Sequence, residues 1–365
     1  MKIAFIYLGR RGGGAALSYE LAVHLARRIQ MLAVISTYVE NDRLWQASGL
    51  ELCQTETYRN LVQAVWGWIS PVKMRALAVQ IRAWEPDVLL FPMFYTWNPL
   101  LQRLLPEIPS IVAVHDPTPH PGLVDRVYSW LENASLRRAR RCLAFSRSEC
   151  PALVQRGVTA DKIDIIPLGE FSSYREAAIL QLDQPRPKPP ILLFFGRITA
   201  YKGLDVLLQA FQQIHQQQEA RLVIAGDGDI RPYLPLLKGT PDVELINRWI
   251  ADDEISALFQ RASLVILPYT SASQSGVIPI AAAFRLPVIA SRVGGIPEQI
   301  EDGKTGLLVE PGSVAQLATA MGRLLGNPEL SYQLGHSLGE DYQKNRNWDQ
   351  IAEAVRQVCE KALAG

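Results

Sequence analysis

The stretch Ile191-Leu-Leu-Phe-Phe-Gly-Arg-Ile-Thr-Ala-Tyr-Lys-Gly-Leu-Asp-Val-Leu-Leu-Gln-Ala-Phe211 decides the fold. It opens on a continuous apolar run that a glycine ends, and Leu204, Leu207, Leu208 and Phe211 then recur at helical spacing. A strand apolar on both faces, a turn and an amphipathic helix together form the repeating unit of a parallel sheet covered on both sides. The pattern recurs along the chain. Candidate strands in the first half are Lys2–Leu8, Met31–Ser36, Val88–Phe91, Ile111–His115, Arg141–Phe145 and Lys162–Ile166. In the second half they are Ile191–Gly196, Arg221–Ala225, Val243–Ile246, Leu264–Pro268, Pro287–Ala290 and Gly306–Val309.

The 365 residues suit about two domains. The run Gln184-Pro-Arg-Pro-Lys-Pro-Pro190, with four prolines, can continue neither a helix nor a central strand and reads as a stiff linker. The expected layout is residues 1–183, a linker at 184–190 and residues 191–345, with the closing helix 348–365 returning to the first domain. Two doubly wound α/β domains facing a central cleft are predicted, with ligands at the carboxyl ends of the strands.

Hydrophobic residues make up 48% and charged residues 20%, which excludes wholesale disorder. Lys and Arg number 37 against 36 Asp and Glu, a balance unlike that of a dedicated nucleic-acid binder. The four cysteines have neither zinc nor redox spacing and fit a reducing compartment. The apolar stretch from Asp87 to Leu101 is broken by Pro92 and Pro99 and is too short to cross a bilayer. A soluble, cytoplasmic protein is the expectation.

Several strand ends carry residue types that suit anions. After the first strand, Gly12-Gly-Gly14 opens a helix and lets backbone N–H groups approach a phosphate; a tight strand–helix turn is the other reading. Leu17 breaks the dinucleotide pattern, and no Gly-Lys-Ser/Thr follows, so a Walker loop is excluded. Glu40 stands where a ribose partner could sit, which keeps a two-domain NAD enzyme as an alternative. In the quoted stretch Arg197 offers a planar fork and Lys202 a point charge, a pair suited to a diphosphate, though each could equally be a solvated surface residue. Tyr269-Thr-Ser-Ala-Ser-Gln-Ser-Gly-Val-Ile278 joins five hydroxyl residues to exposed amides ahead of an apolar helix, suited to a phosphate or a sugar, or to a structural cap by Ser275 alone. Glu298 falls in a first helical turn, where it also complements the helix dipole. His115 ends an apolar strand beside Asp116 and near His120; proton transfer or a sugar hydroxyl suits it, and three such groups could count as a metal site. Asp227-Gly-Asp229 reads as a capped strand-to-helix turn. A helix Val124–Cys142 is expected, combining Arg126, Arg137, Arg138, Arg140 and Arg141 with Val127, Trp130, Leu131 and Leu136, a composition for an anionic leaflet or for a solvated basic face.

Taken together, G-R-I-T-A-Y-K-G, I-A-G-D-G-D, L-P-Y-T-S-A-S-Q-S-G and P-V-I-A-S-R-V-G-G-I-P-E resemble glycosyltransferase family 4, the retaining GT-B group. The likeness covers the whole chain and is densest from Ile191 to Pro311. It implies a hexosyltransferase that uses a UDP- or GDP-sugar and a glycan or lipid-linked acceptor, in polysaccharide biosynthesis. It implies no cofactor and no metal; a peripheral place on the inner face of the membrane rests on the basic helix alone, with a solvated face as the other reading. Carried over, Arg197 and Lys202 neutralise the diphosphate. The amides at Gly276 and Val277, with Gly13 and Gly14, approach the same phosphates. Ile250 flanks the nucleobase and His115 contacts the donor sugar. The family's paired glutamates fall at Ala272 and Ile280, neither of which can do that work, and Arg285 replaces a usual glycine. Ser273, Gln274 and Ser275 are then the candidates for hydroxyl contacts, and a non-catalytic sugar- or nucleotide-binding subunit is the rival reading.

Overall fold

The computed structural model describes residues 1–364 apart from 59–62, 65–67, 69–70, 117–122, 172–173, 176–177 and 179–186, and without the side chains of 123–125. Two compact units result. One comprises Met1–Pro167 with Trp348–Gly365, the other Leu168–Asn347. The division therefore precedes the proline run, of which 187–190 are described.

The first unit alternates β1 (Lys2–Tyr7), α1 (Gly13–Ala26), β2 (Gln30–Ser36), α2 (Asp42–Ala47), β3 (Glu51–Thr55), α3 (Val72–Ala83), β4 (Val88–Phe91), α4 (Asn98–Leu104), β5 (Ser110–Val114), α5 (Leu123–Arg138), β6 (Arg141–Ala144), α6 (Cys150–Gln155) and β7 (Ile163–Ile165). Its strands lie in the order β3-β2-β1-β4-β5-β6-β7, every pair parallel. The second unit runs β8 (Ile191–Phe195), α7 (Leu204–His215), β9 (Arg221–Ala225), α8 (Leu234–Lys238), β10 (Val243–Ile246), α9 (Asp252–Arg261), β11 (Leu264–Leu267), α10 (Val277–Ala283), β12 (Val288–Ser291), α11 (Ile296–Gln299), β13 (Leu307–Val309), α12 (Val314–Leu325) and α13 (Pro328–Asn345). Its sheet is β10-β9-β8-β11-β12-β13, again parallel throughout. The last helix, α14 (Trp348–Ala364), packs on α1 and meets β4 and β5 of the first unit.

Burial explains the order. The central strands β4, β5 and β11 are buried along their whole length, whereas β3, β7 and β10 stand at sheet edges and are only partly covered. In both sheets the strand order reverses direction about the first strand, between β1 and β4 and between β8 and β11. Crevices at the carboxyl ends of the strands open at such switch points. In this strand order both units are Rossmann-like.

Three expectations change. A thirteenth strand, β3, carries the polar sequence Glu-Leu-Cys-Gln-Thr, which hides an edge strand. Six strands stop one residue short of the expected end, leaving Leu8, His115, Phe145, Ile166, Gly196 and Pro268 as the first residues of the loops. The basic helix ends at Arg138, and Arg141 and Cys142 belong to β6, where Arg141 pairs with Asp164.

Candidate functional site

In the second unit the switch point is built by backbone packed on backbone. The Ile198 N–H donates to the Asp227 carbonyl at 2.8 Å, and Ile198 bridges to Gly228. Asp229 accepts both the Arg231 guanidinium, at 2.7 and 2.8 Å, and the Arg231 N–H, so its carboxylate does the turn-capping work read from the sequence. On this seat Arg197 is exposed, with no hydrogen bond or ion pair among the described residues. Lys202 is half-buried and also lacks a carboxylate partner there. Its Nζ lies 3.7 Å from the centroid of the Tyr269 ring.

The segment after β11 closes the other side. Gly294, at φ +50°, lies so close to Ala272 that a Cβ would come within 1.6 Å of the Ala272 carbonyl oxygen. The Gly295 N–H donates to the Ser273 carbonyl at 2.8 Å. Ser273 and Gln274 are partly exposed and Gly276 is exposed. Ser275 is different: it is buried, and its Oγ accepts the Val277 N–H at 3.3 Å and lies 3.4 Å from the Tyr269 hydroxyl. One side-chain amide, Gln299, receives the Ser275 N–H at 2.8 Å and donates to the Ser275 carbonyl at 3.0 Å. From the sequence Tyr269 counts only as one of the hydroxyl residues of this segment, and Gln299 carries no signal. Their neighbour Glu298 is exposed in the first turn of α11. Ile250 is buried in the turn before α9, which the Arg248–Glu254 ion pair and the Ala251 N–H bond to Glu254 hold shut.

In the first unit, α1 begins at Gly13. The Gly12 N–H donates to the Glu40 carboxylate, and the Glu40 N–H to the Arg10 carbonyl at 2.8 Å, so the acid considered for a ribose is tied to the turn itself. A Cβ on Gly13 would meet nothing within 4 Å, while one on Gly14 would press on the Met93 side chain. His115 follows β5 directly. Its Nε2–H donates to the Pro92 carbonyl at 3.3 Å, its ring lies 4.2 Å from that of Phe145, and burial lowers its pKa to about 4. It is a neutral imidazole at physiological pH.

Sequence reasoning also passed over Glu149, whose Oε2 accepts the Phe145 N–H at 3.0 Å. Its place four residues after the strand, at a helix start, was the available signal. His120 lies outside the described residues, and among those no three His, Cys, Asp or Glu side chains gather to hold a metal.

On α5, Leu131 and Leu136 belong to the core, but Trp130 and Val127 are 68% and 54% exposed. Arg126, Arg137 and Arg138 are exposed as well. At 3.6 residues per turn these five side chains occupy about a third of the helix circumference. No helix of the described residues is long and apolar enough to cross a membrane.

Two Rossmann-like α/β units of this kind define the GT-B class of glycosyltransferase fold. Residues 189–327 match the family described as glycosyl transferases group 1, and residues 12–169 match the glycosyl transferase 4-like domain. The chain belongs to this glycosyltransferase family. Alpha-D-kanosaminyltransferase of Streptomyces kanamyceticus is 27% identical over 290 residues, 73% of this chain and 74% of that protein. D-inositol 3-phosphate glycosyltransferase of Streptomyces scabiei is 28% identical over 277 residues, 70% of this chain but only 61% of that protein. The crystal structure of Anabaena HepE in complex with UDP-glucose has the same fold, with a TM-score of 0.75 at 20% identity over 100% of both chains.

Proposed function

We propose that this glycosyltransferase moves a hexose from a nucleoside diphosphate sugar, UDP before GDP, to a glycan or lipid-linked acceptor, with retention and without a metal. One observation carries the reading: Arg197 and Lys202 stand at the carboxyl end of β8 with no carboxylate partner among the described residues. Two cations left uncompensated at a switch point suit a diphosphate. As the bond from the sugar's anomeric carbon to the phosphate oxygen breaks, negative charge grows on the leaving diphosphate. Cations already in place stabilise that charge without reorganising. The acceptor hydroxyl bonds to the same face of the sugar and passes its proton to the leaving phosphate. The amides near Gly276 and Val277 join Arg197 and Lys202 in this role, and Ile250 flanks the base. A contact from His115 to the transferred sugar needs a neutral imidazole, which burial supplies. HepE's complex with UDP-glucose supports testing uridine first.

The test is a thermal-shift series with UDP, GDP, ADP, CMP and NAD. A ligand that binds only the folded state stabilises it by about 2.7 kcal/mol at a hundredfold excess over Kd. The expected result is a rise in Tm with one nucleoside diphosphate, lost in the Arg197→Ala/Lys202→Ala double variant. No shift with any of them would promote the non-catalytic reading that Ala272 and Ile280 raise. A shift with NAD alone would restore the two-domain NAD enzyme.

For a lipid-linked acceptor, the exposed arginines and Trp130 on α5 are the surface that would meet an anionic leaflet. The chain is expected to co-sediment with vesicles containing phosphatidylglycerol, and Arg137→Glu/Arg138→Glu to remain in the supernatant. Equal sedimentation of both proteins would assign this face to solvent.

A further inference from the structure

Lys202 is held by an aromatic face. Its ammonium sits 3.7 Å from the centroid of Tyr269, inside the range for a cation–π contact, and 5.5 Å from that of Tyr201. Tyr269 has no exposed surface. Its hydroxyl reaches Ser275, and Ser275 is gripped at both its N–H and its carbonyl by the Gln299 amide, which also donates to the Tyr342 hydroxyl at 3.3 Å. Next to the ring, the Thr270 N–H donates to the Tyr201 carbonyl at 2.8 Å, which joins the segment after β11 to the Lys202 loop. The ring is thus fixed by its own surroundings, and the lysine rests on a fixed surface.

The choice of an aromatic partner has a chemical consequence. A lysine has a long flexible stem that must be ordered before its charge can act at one point. A carboxylate would order it, but would also cancel its charge and compete with an anionic ligand. A tyrosine ring orders it through the negative face of the π-system and carries no formal charge of its own. The ammonium therefore remains a full cation toward whatever approaches from the open side.

We propose that Tyr269 is a positioning residue for Lys202: its ring seats the ammonium for a diphosphate and leaves the charge uncompensated. This rests on the reading that Lys202 meets the diphosphate of the donor. Tyr269→Phe keeps the ring and Tyr269→Leu removes it, with Tyr269→Met as a second filler of similar bulk should the leucine variant fail to fold. Three measurements follow. The Lys202 side-chain methylene protons are expected to be shifted upfield by the ring current in wild type and in Tyr269→Phe, and to return to ordinary positions in Tyr269→Leu. Calorimetric titration with UDP is expected to show Tyr269→Phe within about threefold of wild type and Tyr269→Leu weakened about tenfold, with uridine affinity equal in all three. In a Lys202→Ala background, Tyr269→Leu is expected to weaken UDP no further.

Loss of UDP and uridine binding in parallel, or an equal loss in the Lys202→Ala background, would show the ring to be structural only and overturn the proposal. Absence of the ring-current shift in wild type would overturn the seat itself. If the shift is present but Lys202→Ala binds UDP as wild type does, the seat stands. The diphosphate role then falls together with the reading on which it rests.

Discussion

Glu149→Gln is expected to stabilise the folded chain by up to about 5 kcal/mol at pH 9 and by almost nothing at pH 4, as read from urea melts of variant and wild type at the two pH values. Glu149 precedes α6 and is 2% exposed. One carboxyl oxygen accepts the Phe145 N–H, and the other is buried without a hydrogen bond among the described residues. Burial pushes its pKa up to about 8, and the nearby Asp116 charge pushes in the same direction. In the unfolded chain the same carboxyl titrates at its ordinary 4.5. Between those two values the folded chain keeps a proton that the unfolded chain has released. The stability of the neutral form is therefore complete below pH 4.5 and is lost as pH rises through 8. Each tenfold difference in proton affinity is worth about 1.4 kcal/mol, which sets the magnitude. Glutamine keeps an acceptor for the Phe145 N–H and carries no charge at any pH. A difference between the two proteins that is the same at pH 4 and pH 9 would mean that the folded carboxyl ionises freely.

His115, whose ring lies 4.2 Å from that of Phe145, behaves in the opposite sense. His115 is held down at about 4 by burial, against an ordinary 6.5, so its contribution is complete above 6.5 and is lost as pH falls through 4. Between pH 4.5 and 6.5 the two residues offset each other, and the wild-type stability profile is flatter than either alone would make it. Removing the glutamate exposes the histidine limb. The same value means that His115 does not change charge near neutral pH, so an acid limb of activity near pH 6.5 would have to come from another group.

The central strands were legible because burial on both faces leaves a continuous apolar run, as in Val88–Phe91 and Leu264–Leu267. The edge strand β3 was not, because a half-covered edge tolerates glutamate, glutamine and threonine and leaves no such run. The overextended basic helix fails for a related reason: Arg141 begins a strand whose charge is met by Asp164, a partner 23 residues away. At the site, Arg197 and Lys202 were legible from their type and their place after a strand. The roles of Tyr269, Gln299 and Glu149 were not, because each bonds only to other parts of the protein. Gln299 reaches Ser275 across 24 residues, and no local periodicity encodes that distance. What the sequence announces is the groups left over for a ligand; the groups that fix them become visible only in the fold.

Gly203→Ala is expected to lower stability by about 4 kcal/mol and turnover by about a hundredfold, although residue 203 carries no chemistry. Gly203 has φ +67°, a left-handed conformation that costs an L-residue about 1–2 kcal/mol. Its Cβ would also come within 1.9 Å of the Pro268 carbonyl oxygen and 3.0 Å of the Pro268 carbonyl carbon. Those atoms are backbone, so no side chain can swing aside, and overpacking of this kind adds about 1–3 kcal/mol. Relief requires the loop that carries Arg197 and Lys202 to separate from the segment that carries Tyr269, where the Thr270 N–H holds the Tyr201 carbonyl. A displacement of about 1 Å at a positioning group is enough for a hundredfold loss of rate. Gly13→Ala is the control, because its Cβ would meet nothing within 4 Å, and it is expected to shift the urea midpoint little. An unchanged midpoint and turnover in Gly203→Ala would show that the two segments part at no cost. Lys202 would then owe its position to something other than the packing of Gly203 beneath it.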